Sequence, residues 1–183
     1  MTIDSLLAEA RRYKALAEAT LGQLTDAELV MSHGASSNSI AAIVCHLAGN
    51  LSSRFTDFLT ADGEKPWRDR EAEFFTPATT REELTACWED GWRAFCGATE
   101  TLTDADFTRT ITIRGQAMDV HDALHRSLAH TAYHVGQIVF LGKLIRGGEW
   151  RYLSIAPGQS QAYNQQPTRE RPADAERHLR KLS

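Results

Sequence analysis

His130 and His134 are four residues apart, about 40° around a helix and one turn along it. Both imidazoles therefore leave the same face and can hold one metal ion. His125 lies about 140° from His130 and about 180° from His134, so it cannot join them, and His121 is similarly far round. Gln137 falls about 20° from His130 around the same axis. Two ligands from one helix are not enough, because a metal site needs at least three. His46 is the other histidine that falls in an expected helix with an apolar face. If the two helices are neighbours, it completes a three-histidine set. Asn50, Ser53 and Asp57 follow His46 at steps that keep them near its face. Such a polar ridge is costly to bury unless it lines a cavity or a hydrated site.

Three neutral imidazoles leave a divalent ion with open positions, the mark of a catalytic centre. Asn50 and Gln137, about a turn from their histidines, are candidates to orient the ligands or a substrate. The planar fork of Arg54 could pair with an anionic substrate group. Its alternative is a surface ion pair with Asp57 or with the charged loop after Pro66. A bare H-x-x-x-H spacing also arises by chance, and His33, His121, His125 and His178 read as surface or structural. Cys45, about 100° from His46, reads as a small core residue, and Trp88 and Trp92 read as core packing. The chain has no G-x-S-x-G elbow and no glycine-rich phosphate loop. Thr131 stands where the H-E-x-x-H metalloproteases carry glutamate.

The elements that must position these residues follow from apolar periodicity. A first helix is expected over 4–24, capped by Asp4 or Ser5. A Ser/Gly/Asn-rich loop covers 32–39, and Asn38 or Ser39 caps a second helix running to about 59. Pro66 keeps the next stretch, to Pro77, irregular. Thr80 and Glu83 form a capping-box pattern for a third helix ending near 102. Residues 107–120 alternate as a short strand or hairpin turning at Arg114 and Gly115. Asp119 caps the fourth and longest helix, which ends at Gly147 and Gly148. The polar tail from 149 allows one short helix over 173–182. The expected architecture is all-α: a single four-helix bundle spanning 1–183, with a crossover connection between the second and third helices.

At 183 residues the chain is the length of one domain, and its 42% hydrophobic fraction can build a core. A net charge of -4 argues against nucleic acid as a partner. No apolar run approaches a membrane span, and the N-terminus shows no secretory signal. Three cysteines without a C-x-x-C pair fit a reducing cytoplasm.

His46-Leu47-Ala48-Gly49-Asn50, continuing through Ser53 to Leu59 and Asp62 to Trp67, resembles the second helix of a DinB/YfiT-like protein. More specifically it resembles an uncharacterised bacterial branch of that superfamily. His130-Thr131-Ala132-Tyr133-His134-Val135-Gly136-Gln137-Ile138 resembles the branch's fourth-helix motif, and Leu153-Ser154-Ile155 with Gly158 its C-terminal signature. The resemblance covers most of the chain from Asn38 to about Asn164. It implies a four-helix bundle holding a divalent metal, zinc or nickel, on His46, His130 and His134. Relatives in the superfamily include metal-dependent hydrolases and enzymes that use low-molecular-weight thiols, and they often form homodimers. Two functions stand open. One is a metal-dependent hydrolase or thiol S-transferase acting on a small molecule. The other is a non-catalytic, metal-bound stress or interaction module.

Overall fold

The computed structural model describes residues 2–34, 36–75 and 77–183; Ala35 in the expected loop and Thr76 in the irregular link lie outside it. The protein is mainly helical, with four long helices. These are α1 (Ile3–Leu21), α3 (Ile40–Phe55), α5 (Arg81–Thr99) and α6 (Val120–Arg146). Short helices α2 (Asp26–Val30), α4 (Ala72–Phe75), α7 (Ser160–Gln165) and α8 (Pro172–Leu179) fill the connections and the tail. Strands β1 (Thr110–Ile113) and β2 (Gln116–Asp119) form an antiparallel hairpin pairing Thr110 with Asp119 and Ile113 with Gln116. Its turn residues Arg114 and Gly115 have φ of 54° and 71°, the left-handed pair that matches strand twist in a two-residue hairpin.

Helix starts follow side-chain capping. Ser39 accepts from Ala42 N, Asp119 accepts from Asp122 N, and Thr80 with Glu83 makes the expected capping box. At α1 the cap is Thr2, which forms a capping box with Ser5 rather than yielding that role to Asp4 or Ser5. Helix α2 was not expected. Thr25 and Glu28 close a capping box at its start, a pattern present in the sequence. Helix α3 stops at Phe55, a turn before the expected 59. Thr56 leaves for an extended conformation and Asp57 takes a φ of 50°, which Asp tolerates better than most residues. The reversal returns the chain so that Ser53 Oγ donates to Gly63 O at 2.8 Å and accepts from Lys65 N at 3.2 Å.

Helix α3 contacts α5 on one side and α6 on another, so the second and fourth long helices are neighbours. The α3–α5 approach is close: a Cβ on Gly91 would lie 2.7 Å from Ala48 Cα. The main core gathers Leu47, Leu51, Phe55, Trp88, Trp92, Val135 and Ile138. Trp88 and Trp92 meet edge to face at 5.6 Å, as core packing requires. The tail is not merely polar. Trp150, Leu153 and Leu179 form a second cluster on Ala15 and Ala19 of α1, which holds α8 against that helix. Among the described residues no helix is long and apolar enough to cross a membrane.

Candidate metal centre

Helix α3 presents His46 and α6 presents His130 and His134, with one nitrogen of each within 4.8 Å of the others. His46 Nε2 and His130 Nε2 are 3.2 Å apart. Two imidazole nitrogens bound 2.0–2.1 Å from one tetrahedral ion are about 3.3 Å apart, so the separation suits a shared ion. His46 is buried and the other two are half-buried.

The outward nitrogens of His46 and His134 are already committed. His46 Nδ1 lies 2.9 Å from Glu73 Oε2. An ionised carboxylate only accepts, so Nδ1 carries the proton and Nε2 is left as a bare lone pair. His134 Nδ1 lies 2.7 Å from Gln137 Oε1, and an amide oxygen likewise only accepts, which frees His134 Nε2. Metal-bound histidines characteristically show this arrangement, the second nitrogen donating to a fixed acceptor. Phe74 backs the His46 ring at 4.8 Å.

Glu73 is itself clamped. Arg68 donates to Glu73 Oε1 at 2.7 Å and to Oε2 at 2.9 Å, the two-pronged pairing of guanidinium with carboxylate. Burial alone would raise the Glu73 pKa, but the hydrogen bonds from His46 and Arg68 and the Arg68 charge outweigh it and hold the carboxyl below its usual range. Gly49 makes room, because a Cβ there would drive into the Glu73 carboxylate, 2.8 Å from Cδ. Burial pushes His130 down to about 4, helped by positive charge at His134, His46, Arg68 and Arg54. Burial also lowers His134, against the opposing hydrogen bond to Gln137. At neutral pH both rings are therefore neutral and able to ligate.

The other expected residues fall out as follows. Asn50 lines a cavity of about 180 Å³ that opens on His46 and His130. Arg54 lines it too, but it is engaged by Gly63 O and, at 3.1 Å, by Glu64. Its partner is thus neither Asp57 nor the loop after Pro66. Asp57 lies beyond α3 and is exposed, so the inward ridge ends at Ser53, which ties down the following loop. His125 is exposed and stacks beside His121 at 4.3 Å. Cys45 is buried and accepts from Ala78 N at 3.3 Å.

The link between α3 and α5 hid the pair that sequence reasoning missed. Glu73 and Arg68 sit in what reads as charged, irregular chain, and neither lies in a periodic segment. Gly49 was the available signal: a lone glycine inside a helix, three residues after a candidate ligand, usually has a packing or functional reason.

Long helices carrying an inward three-histidine group, with outward nitrogens held by Glu73 and Gln137, define a helical protein with a candidate metal centre. Residues 2–159 match the family described as Protein of unknown function (DUF1572), and the chain belongs to that family. No curated protein and no solved structure matches it.

Proposed function

We propose that the chain is a DinB/YfiT-like four-helix-bundle protein that binds a divalent metal, zinc or nickel, through His46, His130 and His134, and that it is a metal-dependent enzyme. The observation that carries the reading is the convergence of three imidazoles beside a cavity, His46 Nε2 and His130 Nε2 only 3.2 Å apart, with the His46 and His134 rings fixed from behind. An ion bound there supplies the Lewis acidity that makes water or a low-molecular-weight thiol nucleophilic near neutral pH.

The chain's own residues would do the remaining work. Glu73 and Arg68 hold the His46 ring in one tautomer and orientation, and Gln137 does the same for His134. Asn50 stands one turn along α3 from His46 on the cavity wall, where its amide can orient a small-molecule substrate. Among the described residues no carboxylate or thiol joins the three nitrogens, so the coordination positions they leave fall to exogenous groups. The reading is tested by metal analysis of the purified protein, with hydrolase and thiol-transfer screens run on loaded and stripped samples. Stoichiometric zinc or nickel with metal-dependent turnover supports it, and a metal-free protein with unchanged turnover overturns it.

One observation favours the second reading, a non-catalytic interaction module. Tyr133, Phe140 and Leu144 lie on one side of α6 and are 64%, 68% and 56% exposed. An apolar stripe beginning next to His134 suits a docked partner or a second copy. Under that reading the stripped protein loses its fold, whereas a catalytic centre leaves a folded, inactive protein.

A further inference from the structure

The cavity beside the three histidines has an unusual wall. Arg54, Arg68, Arg70, Arg114 and Arg126 all line it, and no aspartate or glutamate does among the described residues. These are five of the chain's sixteen arginines, and none of its four lysines joins them. A chain of net charge -4 has thus concentrated planar, forked cations on one small space, and that fork fits an oxyanion better than an ammonium does.

Carboxylates behind the wall neutralise only part of this charge. Glu64 serves both Arg54 and Arg114, at 3.1 and 2.9 Å, and Glu73 serves Arg68. Glu71 reaches Arg70 at 3.4 Å. Arg126 has no ion-pair or hydrogen-bond partner among the described residues. Five guanidiniums against three carboxylates leave two positive charges unmatched. Asp62 does not redress the balance. Its oxygens are turned onto the backbone N–H groups of Glu64, Arg114 and Gly115 at 2.7–2.8 Å, and Lys65 offsets its charge.

The charge also has a direction. On α3, Arg54 follows His46 by eight residues, about 12 Å along the axis and about 80° around it, and both line the cavity. On α6, Arg126 precedes His130 by four, about 6 Å along that axis. Arg114 arrives from the hairpin turn, which Asp62 pins to the link after α3. The histidines therefore mark one end of the cavity, while Arg54, Arg114 and Arg126 mark the other. Phe55, Phe58, Ile113 and Ala123 supply an apolar stretch of wall. A volume of about 180 Å³ is modest, since a cavity of roughly 150 Å³ suffices for benzene.

We propose that this cavity takes a small organic oxyanion, a carboxylate or phosphate ester on a short apolar body. Its charged end lies among Arg54, Arg114 and Arg126, and its reacting end faces His46 and His130. This names the substrate class of the metal centre and rests on that reading for the reacting end only. The anion site itself is built from arginines and needs no ion.

Calorimetric titration of benzoate, phenyl phosphate and the neutral isostere benzamide into metal-stripped and zinc-loaded protein tests it, with metal content measured on the same samples. Benzoate or phenyl phosphate should bind stripped protein at least tenfold more tightly than benzamide, and the tighter of the two identifies the acid group. Affinity should fall as NaCl is raised. Arg126→Gln removes an exposed, unpartnered cation and should weaken binding about five- to tenfold. Arg114→Asn, which keeps a residue tolerant of the positive φ, should weaken it as well, with helicity by circular dichroism confirming that both variants are folded. Equal affinity for benzoate and benzamide, no binding of either acid at millimolar concentration, or unchanged affinity in both folded variants overturns the proposal. Retained anion binding in a protein that takes up no metal overturns the metal reading alone. Metal uptake without anion binding overturns the cavity proposal alone.

Discussion

His46 and Glu73 are joined by one 2.9 Å hydrogen bond across 27 residues of sequence, and that bond sets which nitrogen of His46 faces His130. Glu73→Gln should keep a hydrogen bond while removing the charge that polarises the imidazole. Losing such a partner lowers metal affinity about 10- to 100-fold, which zinc competition with a chromogenic chelator would read. Arg68 has a side-chain exposure of 2% and would be left uncompensated, at a cost of roughly 3–5 kcal/mol. Urea unfolding of the metal-free protein should register that loss separately. Wild-type affinity in the variant would mean that the carboxylate does not act on the centre.

Gly49→Ala gives a result opposite to helix propensity. In an exposed helix interior the change stabilises by about 1 kcal/mol. Here the new methyl enters the space of the Glu73 carboxylate. Either the carboxylate leaves His46 or α4 shifts, so thermal stability should fall and metal affinity with it, although no ligand has been touched. An unchanged or higher melting temperature with full metal binding would refute the account of why glycine stands there.

The ligand trio was legible because helix periodicity is local. Residues four apart on α6 must share a face, and the apolar face around His46 turns that residue inward. The short hairpin was legible in the same way, from alternation around Ile111 and from Arg114 and Gly115 at the turn. Glu73 and Arg68 were not legible, since their burial depends on where a non-periodic link folds back over α3 and nothing in the link itself encodes that contact. The end of α3 was placed a turn late because the apolar pattern continues through Phe58 and Leu59. Phe58 is indeed buried, but from the reversal at Asp57 rather than from a helix. The tail was read as polar because Trp150, Leu153 and Leu179 are too scattered in sequence to form a pattern, and α1 assembles them.

Replacing His46, His130 or His134 by Ala should each cut divalent-metal content, because two imidazoles without a third ligand bind weakly. His125→Ala is the control: it shares α6 but is exposed and turned away. Elemental analysis after dialysis against a weak chelator would separate the two classes. Equal losses in all four variants would mean that the ion sits elsewhere.

Acid should weaken the metal-free protein before it protonates any ordinary carboxylate. Burial lowers His130 from the ordinary 6.5 to about 4 in the fold, so between those values the unfolded chain binds a proton that the folded chain refuses. Stability therefore rises with pH across this window, and it is lost as pH falls from about 6.5 towards 4. From pH 7 to pH 5 the His130 contribution is about 1 kcal/mol, once the ring's partial contact with solvent is allowed for. His134 and His178 are lowered too and act in the same sense. The depressed carboxyls Glu73 and Glu64 begin to cost stability only as pH falls through about 4.5. Cys45, lowered to about 7 by its hydrogen bond with Cys87, is common to wild type and variant, so the difference between the two proteins from pH 7 to 5 reports His130. His130→Gln cannot take up the proton and should show a shallower fall in urea midpoint over that interval than the wild type. Parallel slopes in the two proteins would show that His130 is not held neutral by its burial beside His46 and His134.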